Sequence, residues 1–99
     1  MILEAAMLNV KPGFEENFEK AFKTASSIIS KMEGYRNHQL QKCVEVKGKY
    51  LLLVEWVDLE SHTIGFRESE DYQEWKKLLH HFYEPFPNVE HFEKVNLTE

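Results

Sequence analysis

Cysteine is nearly absent from the chain. Cys43 stands alone, which rules out an internal disulfide and fits a reducing compartment, so a cytoplasmic setting is expected. A surplus of positive charge is missing as well: 12 Lys and Arg stand against 17 Asp and Glu, a net charge of −5. The basic residues are scattered among acidic ones, so no nucleic-acid surface is expected. No apolar run approaches the roughly 18 residues of a membrane span. The apolar stretch at 2–10 has no basic flank and no small-residue cleavage site, and reads as a strand rather than a signal peptide. Phosphate loops, catalytic-triad motifs and nucleotide fingerprints are all lacking. Of the 5 histidines, no two show metal-ligand spacing on one helix face or alternate along a strand. No metal site is expected.

What is present fits one domain spanning 1–99, with 42% hydrophobic and 29% charged residues. Nine of the thirteen aromatic side chains lie between Tyr50 and Phe92, a density that suits either a heavy core or walls around a flat organic guest. Residues 2–10 are apolar on both alternating faces, as in a central strand covered on two sides. After Lys11-Pro12-Gly13 the period changes. Phe14, Phe18, Ala21, Phe22, Ala25, Ile28, Ile29 and Met32 trace one helical stripe, with Glu16–Lys20 and Glu19–Lys23 as i,i+4 pairs opposite. Gly34 is the expected helix stop.

Residues 35–46 read as a more polar strand near a sheet edge, Lys47-Gly48-Lys49 as a hairpin turn, and 50–57 as a second strand apolar on both faces apart from Glu55. Asp58 is placed to cap a short helix with Leu59, His62, Thr63 and Phe66 on one face. Ser69 is placed to cap another with Tyr72, Trp75, Leu79 and Phe82 inward. Glu84-Pro85-Phe86-Pro87 cannot continue a helix, and 88–97 read as a last strand. The order β-α-β-β-α-β predicts an α+β, ferredoxin-like fold: a four-stranded antiparallel sheet with helices on one face. The other face is then apolar and uncovered, which predicts a homodimer packed sheet to sheet.

At this point the chain resembles the antibiotic biosynthesis monooxygenase-like group of dimeric α+β barrel proteins. The resemblance rests on the first strand ending at Lys11-Pro12-Gly13, the helix from Phe14, and the Glu33-Gly34-Tyr35 junction. Val54-Glu55-Trp56 and Phe66-Arg67-Glu68-Ser69, followed by Tyr72 and Trp75, complete it. It implies a pocket between sheet and helices. It also implies oxygenation of an aromatic quinol or polyketide without metal or flavin, in which the substrate itself reduces oxygen. Such a site needs an apolar enclosure, a base for a phenol or enol, and donors for the resulting anion. The haem-degrading branch of the group uses a first-strand asparagine, a helical tryptophan and an axial histidine. Those positions fall near Ala6, Phe66 and Lys76, none of which matches, with Asn9 and His80 a few residues away, so haem degradation ranks below oxygenation. A third reading is a small-ligand or stress-response module that binds without reacting.

His62, on the inner face of the short helix, is the candidate base, since imidazole titrates near neutrality. The plainer alternative is a part-buried histidine bonded to backbone. His38 shares a strand face with Arg36, Leu40, Val44 and Val46 and would support His62 if that face looks toward the helices. Otherwise it meets solvent or a partner. Trp56, Phe66, Tyr72, Trp75 and Phe82 are the candidate pocket wall, against the reading that they simply fill the core. Arg67 would hold an anionic group at the mouth, or form a surface ion pair. His80 and His81 read as cations favoured at a helix C-terminus, and His91 as an interface residue.

Overall fold

A computed structural model of the chain describes residues 1–97. Strand β1 (Ile2–Asn9) leads to helix α1 (Glu15–Ile29), then β2 (Tyr35–Lys42) and β3 (Lys49–Trp56). A π-helical turn (Ser61–Phe66), helix α2 (Glu70–Leu79), a 3-10 turn (His80–Phe82) and β4 (Val89–Glu93) complete it. The strands form one sheet in the order β2-β3-β1-β4, all neighbours antiparallel. This is the ferredoxin-like arrangement expected from the sequence.

Side-chain alternation separates the two faces. Glu4, Ala6 and Leu8 of β1 and Tyr50, Leu52, Val54 and Trp56 of β3 are buried beneath the helices. There they meet Phe18, Phe22, Ala25 and Ile29 of α1 and Trp75 and Leu79 of α2. Leu3, Ala5, Met7, Leu51 and Leu53 occupy the opposite face, which no helix covers, and are only partly buried or exposed. Phe92 joins them from β4, because the register sets it opposite Leu3.

Local chemistry explains the joins and several departures from expectation. Phe14 lies just outside α1 and is exposed, its ring resting against Phe82. Glu19 does not pair with Lys23. It turns to the sheet, accepting from the buried Tyr50 hydroxyl at 2.5 Å and meeting Lys42 at 3.1 Å. Strand β2 carries a bulge between Tyr35 and Asn37, so Arg36 is out of step with His38, and the strand ends before the exposed Val44 and Val46. Strand β4 stops at Glu93, short of the expected 97.

Gly34 is required twice over. Its φ is +86°, and a Cβ there would lie 2.1 Å from the Ser61 Oγ. The α1–β2 junction is thereby pressed against the start of the π turn, while Val57 N–H donates to the Gly34 carbonyl at 2.7 Å. Asp58 Oδ1 fixes the same turn by accepting from Ser61 N–H at 2.8 Å and from its hydroxyl at 2.6 Å. Ser69 caps α2 as its sequence position suggests, accepting from Tyr72 N–H at 3.1 Å.

Candidate functional site

A cavity of about 350 Å³ lies between the helix-facing side of the sheet and the α2 region. Its floor is Glu4, Ala6 and Leu8 of β1 with Leu52 of β3. One wall is His62, Phe66 and Arg67, another Tyr72, Trp75 and His80, and the far side is Tyr83 with the 86–89 segment. The segment at the end of β1 is stitched to the segment after α2 to close it. Lys11 N–H donates to the Phe82 carbonyl at 2.8 Å and Glu84 N–H to the Asn9 carbonyl at 2.9 Å, which turns Tyr83 inward.

The π turn sets the geometry of the first wall. Arg67 N–H bonds to the His62 carbonyl, an i→i−5 bond of 3.1 Å, and the wider turn buries His62 and Phe66 together. Leu59 and Thr63, expected inward on an α-helical period, are respectively exposed and half-exposed. His62 stacks on Trp56 with centroids 5.4 Å apart and planes at 21°. Its Nδ1 lies 2.8 Å from His91 Nε2, and its Nε2 lies 3.4 Å from Glu4 Oε1. The same Glu4 oxygen accepts from Trp56 Nε1–H at 2.9 Å. A buried carboxyl, imidazole and indole are thus joined to the half-buried imidazole of His91 in one group.

The electrostatics favour neutral forms. Burial, reinforced by the Arg67 guanidinium and by His91, pushes the His62 imidazole down to about 3. Burial raises the Glu4 carboxyl, against the Trp56 N–H and Arg67, which pull it down. The 3.4 Å approach of His62 to Glu4 is therefore a contact between polar partners, not an ion pair with a charged imidazole. Burial also raises the phenols of Tyr72 and Tyr83, so both remain O–H donors. Arg67 is exposed, lines the cavity and makes no salt bridge among the described residues, leaving its fixed charge at the mouth.

Not every residue singled out from the sequence reaches this cavity. Phe66, Arg67, Tyr72 and Trp75 line it with His62. Trp56 is fully buried one layer behind, backing His62. Phe82 points away and packs on Phe14 and Phe18, and its neighbour Tyr83 takes the lining position. His38 does face the helices but does not converge with His62. It lies under α1, with Nδ1 2.5 Å from the Tyr35 hydroxyl and Nε2 3.1 Å from the Ser26 hydroxyl. His80 lines the cavity among Tyr72, Tyr83 and Phe86 rather than serving as a terminal cation, and burial with Lys76 nearby lowers its pKa.

Glu4 and His91 are the residues that sequence reasoning missed. Glu4 is the lone carboxylate in an apolar strand, which was a usable signal. Because both faces of that strand are apolar, nothing local told which way it pointed. The placement of His91 follows from the β1–β4 register, which sets it opposite Glu4, a pairing across nearly the whole chain. Among the described residues, no group of three or more His, Cys, Asp or Glu side chains is placed to hold a metal ion. No helix among them is long and apolar enough to cross a membrane.

Fold and cavity together define a small α+β protein with a cavity between sheet and helices. The antibiotic biosynthesis monooxygenase family profile matches residues 1–78, and the chain belongs to that family. It is 62% identical over 95 residues to the uncharacterized protein YczJ of Bacillus subtilis, covering 96% of this chain and 100% of that one. A Bordetella bronchiseptica protein assigned to the antibiotic biosynthesis monooxygenases superposes with a TM-score of 0.91 at 34% identity, covering 96% and 97% of the two chains. A variant of SnoaB, a cofactor-independent oxygenase of Streptomyces nogalater, shares the fold at a TM-score of 0.82 and 14% identity, covering 99% and 97%. At the level of the family, the chain is monooxygenase-like.

Proposed function

We propose that the protein is a cofactor-independent monooxygenase acting on a small hydroxylated aromatic, a quinol or polyketide-like ring. The observation that carries this reading is the cavity itself, with aromatic walls, a neutral imidazole and a carboxyl at one side, and a guanidinium at the mouth. Its volume of about 350 Å³ is at the small end of ligand pockets, which run roughly 300–1,000 Å³. A fused ring system of modest size suits it.

In the proposed reaction the guest's hydroxyl loses its proton at His62, and the ring becomes electron-rich enough to reduce oxygen. One oxygen atom bonds to a ring carbon, a C–H is converted to C=O, and the second oxygen leaves as water. The substrate supplies all four electrons. Phe66 and Trp75 flank the ring, and Arg67 with the hydroxyls of Tyr72 and Tyr83 holds the anion. The test is oxygen uptake with a panel of hydroxynaphthalenes and anthrols in the absence of metal and flavin, with 18O2 to trace the inserted atom. Stoichiometric quinone, lost in both His62→Ala and His62→Gln, is expected. Turnover retained in both variants removes His62 from the mechanism. A compound that binds yet survives under oxygen favours a ligand-binding or stress-response module.

His80 on the cavity wall supports a second reading, haem binding with His80 as axial ligand. The small cavity weighs against it. A Soret shift on haem titration, absent in His80→Ala, is the outcome that would favour it.

The open sheet face, with Leu3, Ala5, Met7, Leu51, Leu53 and Phe92, supports a homodimer packed through that face. Sedimentation should give a dimer that Leu53→Arg converts to a monomer. A wild-type monomer at all concentrations would refute it.

A further inference from the structure

A histidine as deeply buried as His62 is poorly suited to keep a proton. Only 3% of its surface is exposed, and the cationic Arg67 stands on the same wall. A general base works best when its affinity for protons lies near the working pH. Its neighbour differs in degree. His91 is half-buried on β4, an edge strand, and burial and Arg67 lower its proton affinity less than that of His62. The two imidazoles are in direct contact, Nδ1 of one to Nε2 of the other at 2.8 Å, with centroids 5.0 Å apart.

We propose that His62 and His91 act as a two-imidazole relay, in which His62 passes on the proton it receives and the positive charge comes to rest on His91. The inference rests on the oxygenase reading only for the source of the proton. As the guest's O–H bond breaks, its electron pair stays on oxygen and a new N–H bond forms at His62 Nε2. In the same event the Nδ1–H bond of His62 breaks and an N–H bond forms at His91 Nε2. The imidazole of His62 changes tautomer but stays neutral, and the guest anion is balanced by an imidazolium nearer to solvent. His91 thereby serves as the proton store without touching the guest. His38 offers the contrast, because both its partners are hydroxyls.

The charged and titratable groups that act on the pair are Glu4 from β1 and Arg67 beyond the π turn; Tyr72 lines the same cavity, and Glu93 lies two residues along β4. Glu4 beside Nε2 has a defined part in this scheme. A neutral carboxyl whose proton is on Oε2, with Oε1 accepting from Trp56, leaves the Nε2 lone pair available, whereas an anionic one would draw a proton to Nε2 and block the relay.

Nitrogen-15 NMR of the full chain labelled at histidine tests this without any guest. The expected result is His62 in its Nδ1–H form at neutral pH, and the first proton taken up by the pair on acidification appearing on His91. A His62 that carries its proton on Nε2, or that becomes cationic before His91, overturns the proposal. The second arm is kinetic. His91→Gln, which keeps polarity but cannot store a proton, should lower kcat about 100-fold with KM unchanged, and His91→Ala should regain activity on addition of imidazole. Wild-type kcat in His91→Gln overturns the relay. If no quinol is consumed by the native protein, the oxygenase reading fails and the NMR result still decides the behaviour of the pair.

Discussion

Two histidines lie on the same side of the same sheet, each with both ring nitrogens engaged, yet their settings differ. His38 sits under α1 between Ser26 and Tyr35, with Phe22 against its ring, and does not line the cavity beside His62. His62 sits under the π turn beside an open volume, between Glu4 and His91, both of which exchange protons far more readily than a hydroxyl. The first arrangement fixes a strand to a helix. In the proposed relay, the second has somewhere to receive a proton from and somewhere to send it. The comparison teaches that a histidine's hydrogen bonds alone do not single out a candidate site; the titratability of its partners and an adjoining space distinguish the two.

The largest expected effect separates the two in turnover. His62→Ala should lower oxygen consumption by about 10²–10⁴-fold, the usual range for loss of acid–base assistance, while His38→Ala leaves kcat within a factor of about two. An equal loss in both would dissolve the distinction.

Gly34 joins the two settings, since it precedes Tyr35 and presses on Ser61 beside His62. Gly34→Ala should cost about 2–3 kcal/mol in urea unfolding, from strain at positive φ and a displaced π turn. Adding Ser61→Gly should recover only part, by removing the clash but not the strain. Full recovery would show that the φ requirement is weak.

Acid should weaken the fold chiefly through the cavity histidine. The His62 pKa is depressed from 6.5 to about 3, so between those values the unfolded chain binds a proton that the native state refuses. Stability is therefore full above about pH 6.5 and falls as pH drops, by about 2 kcal/mol between pH 7 and 5 for this group. His38, His80 and His91 are also depressed and act in the same direction, whereas the raised Glu4 opposes them. Urea midpoints at the two pH values, compared between native protein and His62→Gln, check the sign and the share. A midpoint that rises on acidification would contradict the neutral buried imidazole.

The smallest effect should come from Ser26→Ala, which removes one half-buried hydrogen bond to His38 and should cost about 1 kcal/mol with turnover unchanged. A large kinetic effect there would place His38 in the chemistry after all.

Much of this architecture was legible in the sequence because apolar periodicity is a local signal. The central strands, the α1 stripe, the Ser69 cap and the break at Pro85 follow from neighbours within a few residues. Phe66, Tyr72 and Trp75 could be assigned inward for the same reason. The features that resisted depend on partners distant along the chain. Glu4 needs β3 and the π turn to define its surroundings, and His91 needs the β1–β4 register. The wider turn at 61–66 moved Leu59 outward against an α-helical count, and the β2 bulge shifted Arg36 relative to His38. Tyr83 lines the cavity and Phe82 does not, because the 3-10 turn after Leu79 alters the helical phase.

The stitching of Asn9 and Lys11 to Phe82 and Glu84 has a practical corollary. The guest chamber is bounded by the first strand and by the last quarter of the polypeptide, so no partly folded form retains it. A compound that enters binds the native state alone, and its full binding free energy is added to global stability, by RT ln(1 + [L]/Kd). Rising melting temperature across an aromatic library is accordingly a direct way to discover what this enclosure accepts.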